Sequence, residues 1–181
     1  MGKKRFIAVH HSATPRENTT VAGITAAHKR KGWPHIGYHR VIGQDGTIAY
    51  TLALEEDGFH VWGRNKDTIG ICVVGNFEQE YPIRAQIENL EKELLSLCQK
   101  LGLSASKIYG HKEVSLPFHG TACPGKNLFS LLPGIKKKVG EKLTQNAAVS
   151  ANSESNAKET DPENNWGKLI EMMKAFLGGG Q

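Results

Sequence analysis

Phe6-Ile7-Ala8-Val9-His10-His11 decides how this chain is read. Residues 5–10 are apolar and partly β-branched, the pattern of a first, buried strand, and the strand runs straight into two imidazoles. Successive side chains alternate across a strand, so His10 and His11 face opposite sides. Periodicity alone does not say which of them faces a site. Outward from this strand, Asn18, Thr19 and Thr20 offer N-caps for a helix over about 20–31, and Gly32 stops it. Tyr38–Ile42 and Thr47–Tyr50 flank Gly43-Gln44-Asp45-Gly46, a hairpin signature. Residues 69–75 read as another buried strand. Ile87, Leu90, Leu94, Leu97, Cys98 and Leu101 recur at helical spacing over 83–101, and Gly102 ends that helix. Ser106–Tyr109 is a short strand delivering His111. Residues 126–143 read as helix with a break at Pro133-Gly134. The order β, α, β-hairpin, β, α, β, α predicts an α/β fold, a single mixed central sheet flanked by helices.

The chemistry-bearing residues sit where these elements end. Gly110-His111-Lys112-Glu113-Val114 follows the short strand. Thr121-Ala122-Cys123-Pro124-Gly125 lies in the loop before the last helix. Imidazoles and a thiolate are good donors for zinc, and three protein ligands leave a fourth position open, as a hydrolytic zinc needs. The long spacing between the donors excludes a small zinc finger.

Composition sets the frame. The chain has 181 residues, 39% hydrophobic and 23% charged, enough for one domain with a core and some spare length. Apolar runs fall far short of the ~20 residues of a spanning helix. No signal-peptide pattern precedes His10, so synthesis in the cytoplasm is expected. Three cysteines make no disulfide framework. Cys72 and Cys98 read as small buried hydrophobes. Net charge is +5, unevenly spread: residues 145–181 hold three lysines against five acids, leaving +7 on residues 1–144. A basic domain suits an anionic polymer or surface. No basic-aromatic array or helix-turn-helix pattern is present, so nucleic acid is not an expected partner.

Residues 144–163 change character, small and polar without periodicity, and read as a linker. Beyond it Trp166, Leu169, Ile170, Met173, Phe176 and Leu177 share one face of an amphipathic helix within 164–181. So short a helix needs a surface to bury that face, either its own domain, a partner or a membrane.

Five ordered segments carry a family resemblance: Val9–Thr14, Gly32–His39, Asp67–Ile71, Gly110–Val114 and Thr121–Gly125. Together, over about residues 5–143, they resemble the zinc-dependent N-acetylmuramoyl-L-alanine amidases, which include phage lysis amidases and the peptidoglycan recognition proteins. The resemblance implies that fold for residues 1–143, with one Zn2+ held by His10, His111 and Cys123. It implies that Tyr38 and Thr121 are catalytic, each donating a hydrogen bond to a developing oxyanion. Thr121 follows the recognition-protein form; phage amidases often have Lys there. His60 matches a loop lining the substrate cleft. Arg64, Asn65 and Lys66 just beyond it could meet the carboxylates of the peptide stem, and Asn76 after the buried strand is a further candidate substrate contact. Glu113 reads either as a support for His111 or as part of the fold. His28, His35, His39 and His119 read as structural or solvated.

The implied activity is hydrolysis of the amide between N-acetylmuramic acid and L-alanine in peptidoglycan, by a phage or prophage lysis enzyme acting on the wall after release. Two alternatives stand beside it. A recycling amidase acting on soluble muropeptides commonly has Asp in place of the Cys ligand. A non-catalytic peptidoglycan-binding module typically lacks the Cys or the Tyr.

Overall fold

The computed structural model describes residues 4–115 and 119–159. Five strands form one sheet in the order β3-β2-β4-β1-β5. β1 (Phe6–His11) lies between β4 (Thr68–Val73) and β5 (Ile108–Gly110), parallel to both. β2 (Arg40–Ile42) is parallel to β4 and antiparallel to β3 (Ile48–Tyr50), the hairpin partner. The mixed sheet expected from the element order is therefore present. β1 and β4 are buried almost throughout, as interior parallel strands covered on both faces must be.

Register partners share a face. Val41 and Cys72 pack with Ile24 and Ile36 on one side of the sheet. Ile24 belongs to α1 (Val21–Arg30), whose N-cap Thr20 accepts a hydrogen bond from Gly23 N–H at 3.1 Å. Arg40, one residue from Val41, points to the other face. There it pairs at 2.8 Å with Glu93 of α2 (Arg84–Leu101), and both side chains are buried. Gly102 ends α2 in the left-handed conformation, φ 64°. Leu128, Leu132, Ile135 and Val139 bury one face of α4 (Lys126–Glu159), and Lys138 reaches Glu91 of α2 at 2.9 Å.

Two expectations about the C-terminal third are corrected. The break at Pro133-Gly134 does not occur, because α4 continues through Pro133. Pro133 is exposed, so its ring lies on the solvent side of the helix. The polar stretch from 144 is also helical as far as Glu159. No Gly or Pro interrupts residues 141–159, and extending an existing helix avoids the cost of nucleating one. The chain divides into two compact units, Met1–Glu141 and Lys142–Gln181. The amphipathic segment at 164–181 lies outside the described residues. Among those described, no helix is long and apolar enough to cross a membrane.

Candidate metal centre and cleft

The site forms at the carboxyl ends of the parallel strands, where open α/β sheets place their ligands. His10 is the fifth residue of β1. His111 follows β5 directly and begins α3 (His111–Val114). Cys123 arrives from the loop before α4. A backbone hydrogen bond from Lys112 N–H to the Cys123 carbonyl, 2.9 Å, ties the second and third positions together. The Cys123–Pro124 peptide is cis. One donor atom from each of His10, His111 and Cys123 lies within 4.8 Å of the others.

The alternation of β1 resolves the His10–His11 pair. His10 faces the cluster and is 1% exposed. His11 faces away and accepts the Phe77 N–H at Nδ1, 3.1 Å. Glu113 is committed to the fold: its carboxylate accepts the Gly110 N–H at 2.6 Å, capping the short helix that starts at His111.

The donor set fits zinc. His10 Nδ1 lies 3.6 Å from Cys123 Sγ. Bond lengths of about 2.05 Å to nitrogen and about 2.3 Å to sulfur put the N···S edge of a tetrahedron at about 3.6 Å. Burial pushes His10 well below the ordinary imidazole range, helped by His60, His111 and His11. Burial likewise takes His111 to about 4, with His11 adding to the effect. Both imidazoles are thus neutral at pH 7, as ligation requires. Burial pushes the Cys123 thiol up to about 12, against a hydrogen bond from the His11 backbone. A divalent cation supplies the positive charge that would make that sulfur a thiolate.

Tyr38 stands beside this cluster, its ring centroid 5.2 Å from that of His10. Burial raises its pKa well above 10, with Cys72 and Cys123 adding to the effect, so the phenol keeps its proton, and its side-chain hydrogen bond is to Cys72. Thr121 Oγ1 accepts the Cys123 N–H at 3.1 Å, which leaves the hydroxyl proton free to be donated.

A cleft of about 580 Å³ opens next to His111. Trp33, Phe59, Trp62 and His119 wall it, and His60 lines it. Trp62 is 56% exposed, and its ring centroid is 5.1 Å from that of His119. The expectation that His60 contacts substrate meets an obstacle: the side chain is buried and its Nδ1 is already 3.1 Å from His10 Nε2.

Arg64 and Asn76 are not brought to this cleft. Arg64 pairs with Asp67 at 3.0 Å and lies over the Phe6 ring, lining a second cavity of about 610 Å³. Asn76 is held in the turn after β4, its side chain accepting Glu78 N–H and its carbonyl accepting the N–H groups of Gln79 and Glu80. Asn65, expected with Arg64 and Lys66 to meet the peptide stem, lines the cleft but turns its side-chain oxygen to the backbone. Its Oδ1 accepts the N–H groups of both His60 and Val61 at 2.9 Å. His28 and His39 are structural, accepting the N–H groups of Gly37 and Gly70.

The chain is similar to known proteins. The endolysin of Escherichia phage T7 is 34% identical over 128 residues, 67% of this chain and 81% of the phage protein. Peptidoglycan-recognition protein SC2 of Drosophila melanogaster is 33% identical over 69% of this chain and 70% of its own. Among solved structures, the N-acetylmuramoyl-L-alanine amidase LysC from Clostridium intestinale superposes with a TM-score of 0.66 at 31% identity, covering 79% of this chain and 87% of that one. Residues 1–126 match the N-acetylmuramoyl-L-alanine amidase family as a whole. With the fold, the three-donor cluster and these relatives in agreement, the chain belongs to the N-acetylmuramoyl-L-alanine amidase family, as a peptidoglycan amidase.

Proposed function

We propose that this chain is a zinc-dependent lysis amidase, cleaving the bond between the lactyl group of N-acetylmuramic acid and L-alanine. The observation that carries the zinc reading is the meeting of His10, His111 and Cys123 donor atoms within 4.8 Å beside an aromatic-walled cleft. Zinc, when held by these residues, lowers the pKa of water and polarises a carbonyl. The remaining work falls to the chain. Trp33, Phe59 and Trp62 offer faces for the sugar and the peptide stem. Tyr38 donates its phenol proton toward charge developing on the scissile carbonyl oxygen, and Thr121 is placed to add a second donor. Water adds across the C–N bond, leaving a lactyl carboxylate and the free amine of L-alanine.

Similarity to phage endolysins supports a role in lysis. Synthesis in the cytoplasm and action on the wall after release are part of this proposal. Peptidoglycan is the proposed partner. Docking of the 164–177 segment on its own domain or on a membrane stays an expectation of the sequence. The test is digestion of purified sacculi, with and without a chelator, followed by mass spectrometry. New L-alanine amines without new reducing sugars, abolished by chelation, are expected. Glycan cleavage, or products that form equally well under chelation, would overturn the assignment.

A further inference from the structure

Two buried imidazoles in contact set up this inference. His60 Nδ1 lies 3.1 Å from His10 Nε2. His10 turns its other nitrogen, Nδ1, toward Cys123 Sγ. We propose that His60 is a positioning residue for the metal site: it accepts the Nε2–H of His10 and so fixes Nδ1 as the donor nitrogen. The inference rests on the zinc reading above and adds to it the ligating atom and the group that enforces it.

Ligating imidazoles almost always give their second N–H to an acceptor, and that partner sets tautomer and ring orientation. Here the acceptor is the imidazole of His60, buried between His10 and His39. A role in substrate contact fits the geometry less well. Nδ1 is used by His10, while Nε2 is shut off from solvent and makes no hydrogen bond of ordinary geometry.

The surroundings are shaped to the His60 ring. A Cβ at Gly70 would fall 2.7 Å from its Cγ and Cδ2, and one at Gly58 would fall 2.5 Å from its Cδ2. Neither position tolerates a side chain while the ring stays. Gly70 is itself held by His39, which accepts its N–H at 3.0 Å and meets His60 edge-on at 5.7 Å. Asn65 fixes the backbone on the other side through the N–H groups of His60 and Val61.

Two variants and one measurement on the parent test this. His60→Phe keeps a planar ring and removes the acceptor. His60→Asn returns a side-chain oxygen near the place of Nδ1. Zinc affinity is measured by chelator competition, ligand geometry by the visible spectrum of the cobalt-substituted protein, and folding by thermal unfolding of the metal-free form. Zinc should bind His60→Phe about 10–100-fold more weakly, with a changed cobalt spectrum, and His60→Asn should recover most of the loss. In the zinc-loaded parent, nitrogen-15 NMR should find His10 protonated at Nε2 and ligated through Nδ1. That result stands even if a variant fails to fold. Ligation through Nε2, or a His60→Phe protein with parental zinc affinity and a raised KM alone, would overturn the positioning role. A parent that binds no zinc would remove the zinc reading along with it.

Discussion

His10 and His11 are adjacent residues with opposite duties. One offers Nδ1 to the cluster; the other uses Nδ1 to accept the Phe77 N–H. Strand alternation made the division legible in the sequence, but not its sense, which depends on which face the Cys123 loop approaches. The third donor gives the sharpest test at this scale. Cys123→Ser replaces a soft sulfur with a hydroxyl, a far weaker zinc donor. Bound zinc should fall from about one per chain to near zero by metal analysis. Activity on sacculi should fall by more than the ~10–100-fold that losing an outer partner costs. A variant with full zinc and full activity would mean that Cys123 is not a ligand. His60 was harder to read, because a loop residue has no periodicity to assign its direction. Arg64 was misplaced because the acid three residues on, Asp67, takes its charge.

Elements were legible where local chemistry marks their ends. Thr20 starts α1, Gly102 closes α2, and Glu113 caps α3 from three residues inside. α4 was misread for a reason of the same kind: Pro133-Gly134 is a strong local breaker, but Leu128, Leu132, Ile135 and Val139 form a buried stripe on both sides of it. Tertiary burial outweighs the lost hydrogen bond and keeps the helix continuous. Gly134 therefore carries a cost without a steric reason. A Cβ there meets nothing within 4 Å, and the residue lies inside the helix. Gly134→Ala should stabilise the protein by about 0.5–1 kcal/mol, read as a raised urea midpoint with unchanged slope. A lowered midpoint would show that the helix bends or breaks there in solution.

For the whole molecule, the consequence of this architecture is an acid limb to stability. Every buried neutral histidine adds to it, His10, His11, His60 and His111 included. His39 and His28 are the members farther from the cluster that act as backbone acceptors. His39 accepts Gly70 N–H at Nδ1 and approaches the Glu56 carbonyl with Nε2, so a proton added at Nδ1 would face another N–H. His28 is in the same position with respect to Gly37 N–H. Burial lowers both below the unfolded value of about 6.5, His39 to about 4. Between those limits the unfolded chain binds more protons than the native one, so stability rises with pH. The contribution is complete above about pH 6.5 and is lost as the pH falls toward about 4, where His39 alone accounts for roughly 3 kcal/mol. Urea unfolding of the metal-free protein at several pH values from about 7 to about 4.5 separates this effect from metal release. The midpoint should hold near pH 7 and fall steadily on the acid side. A flat profile would mean that these two rings accept protons in the native state without losing their backbone partners, and so that the loops they anchor, Gly37 behind Tyr38 and Gly70 behind His60, are held by something other than neutral imidazole.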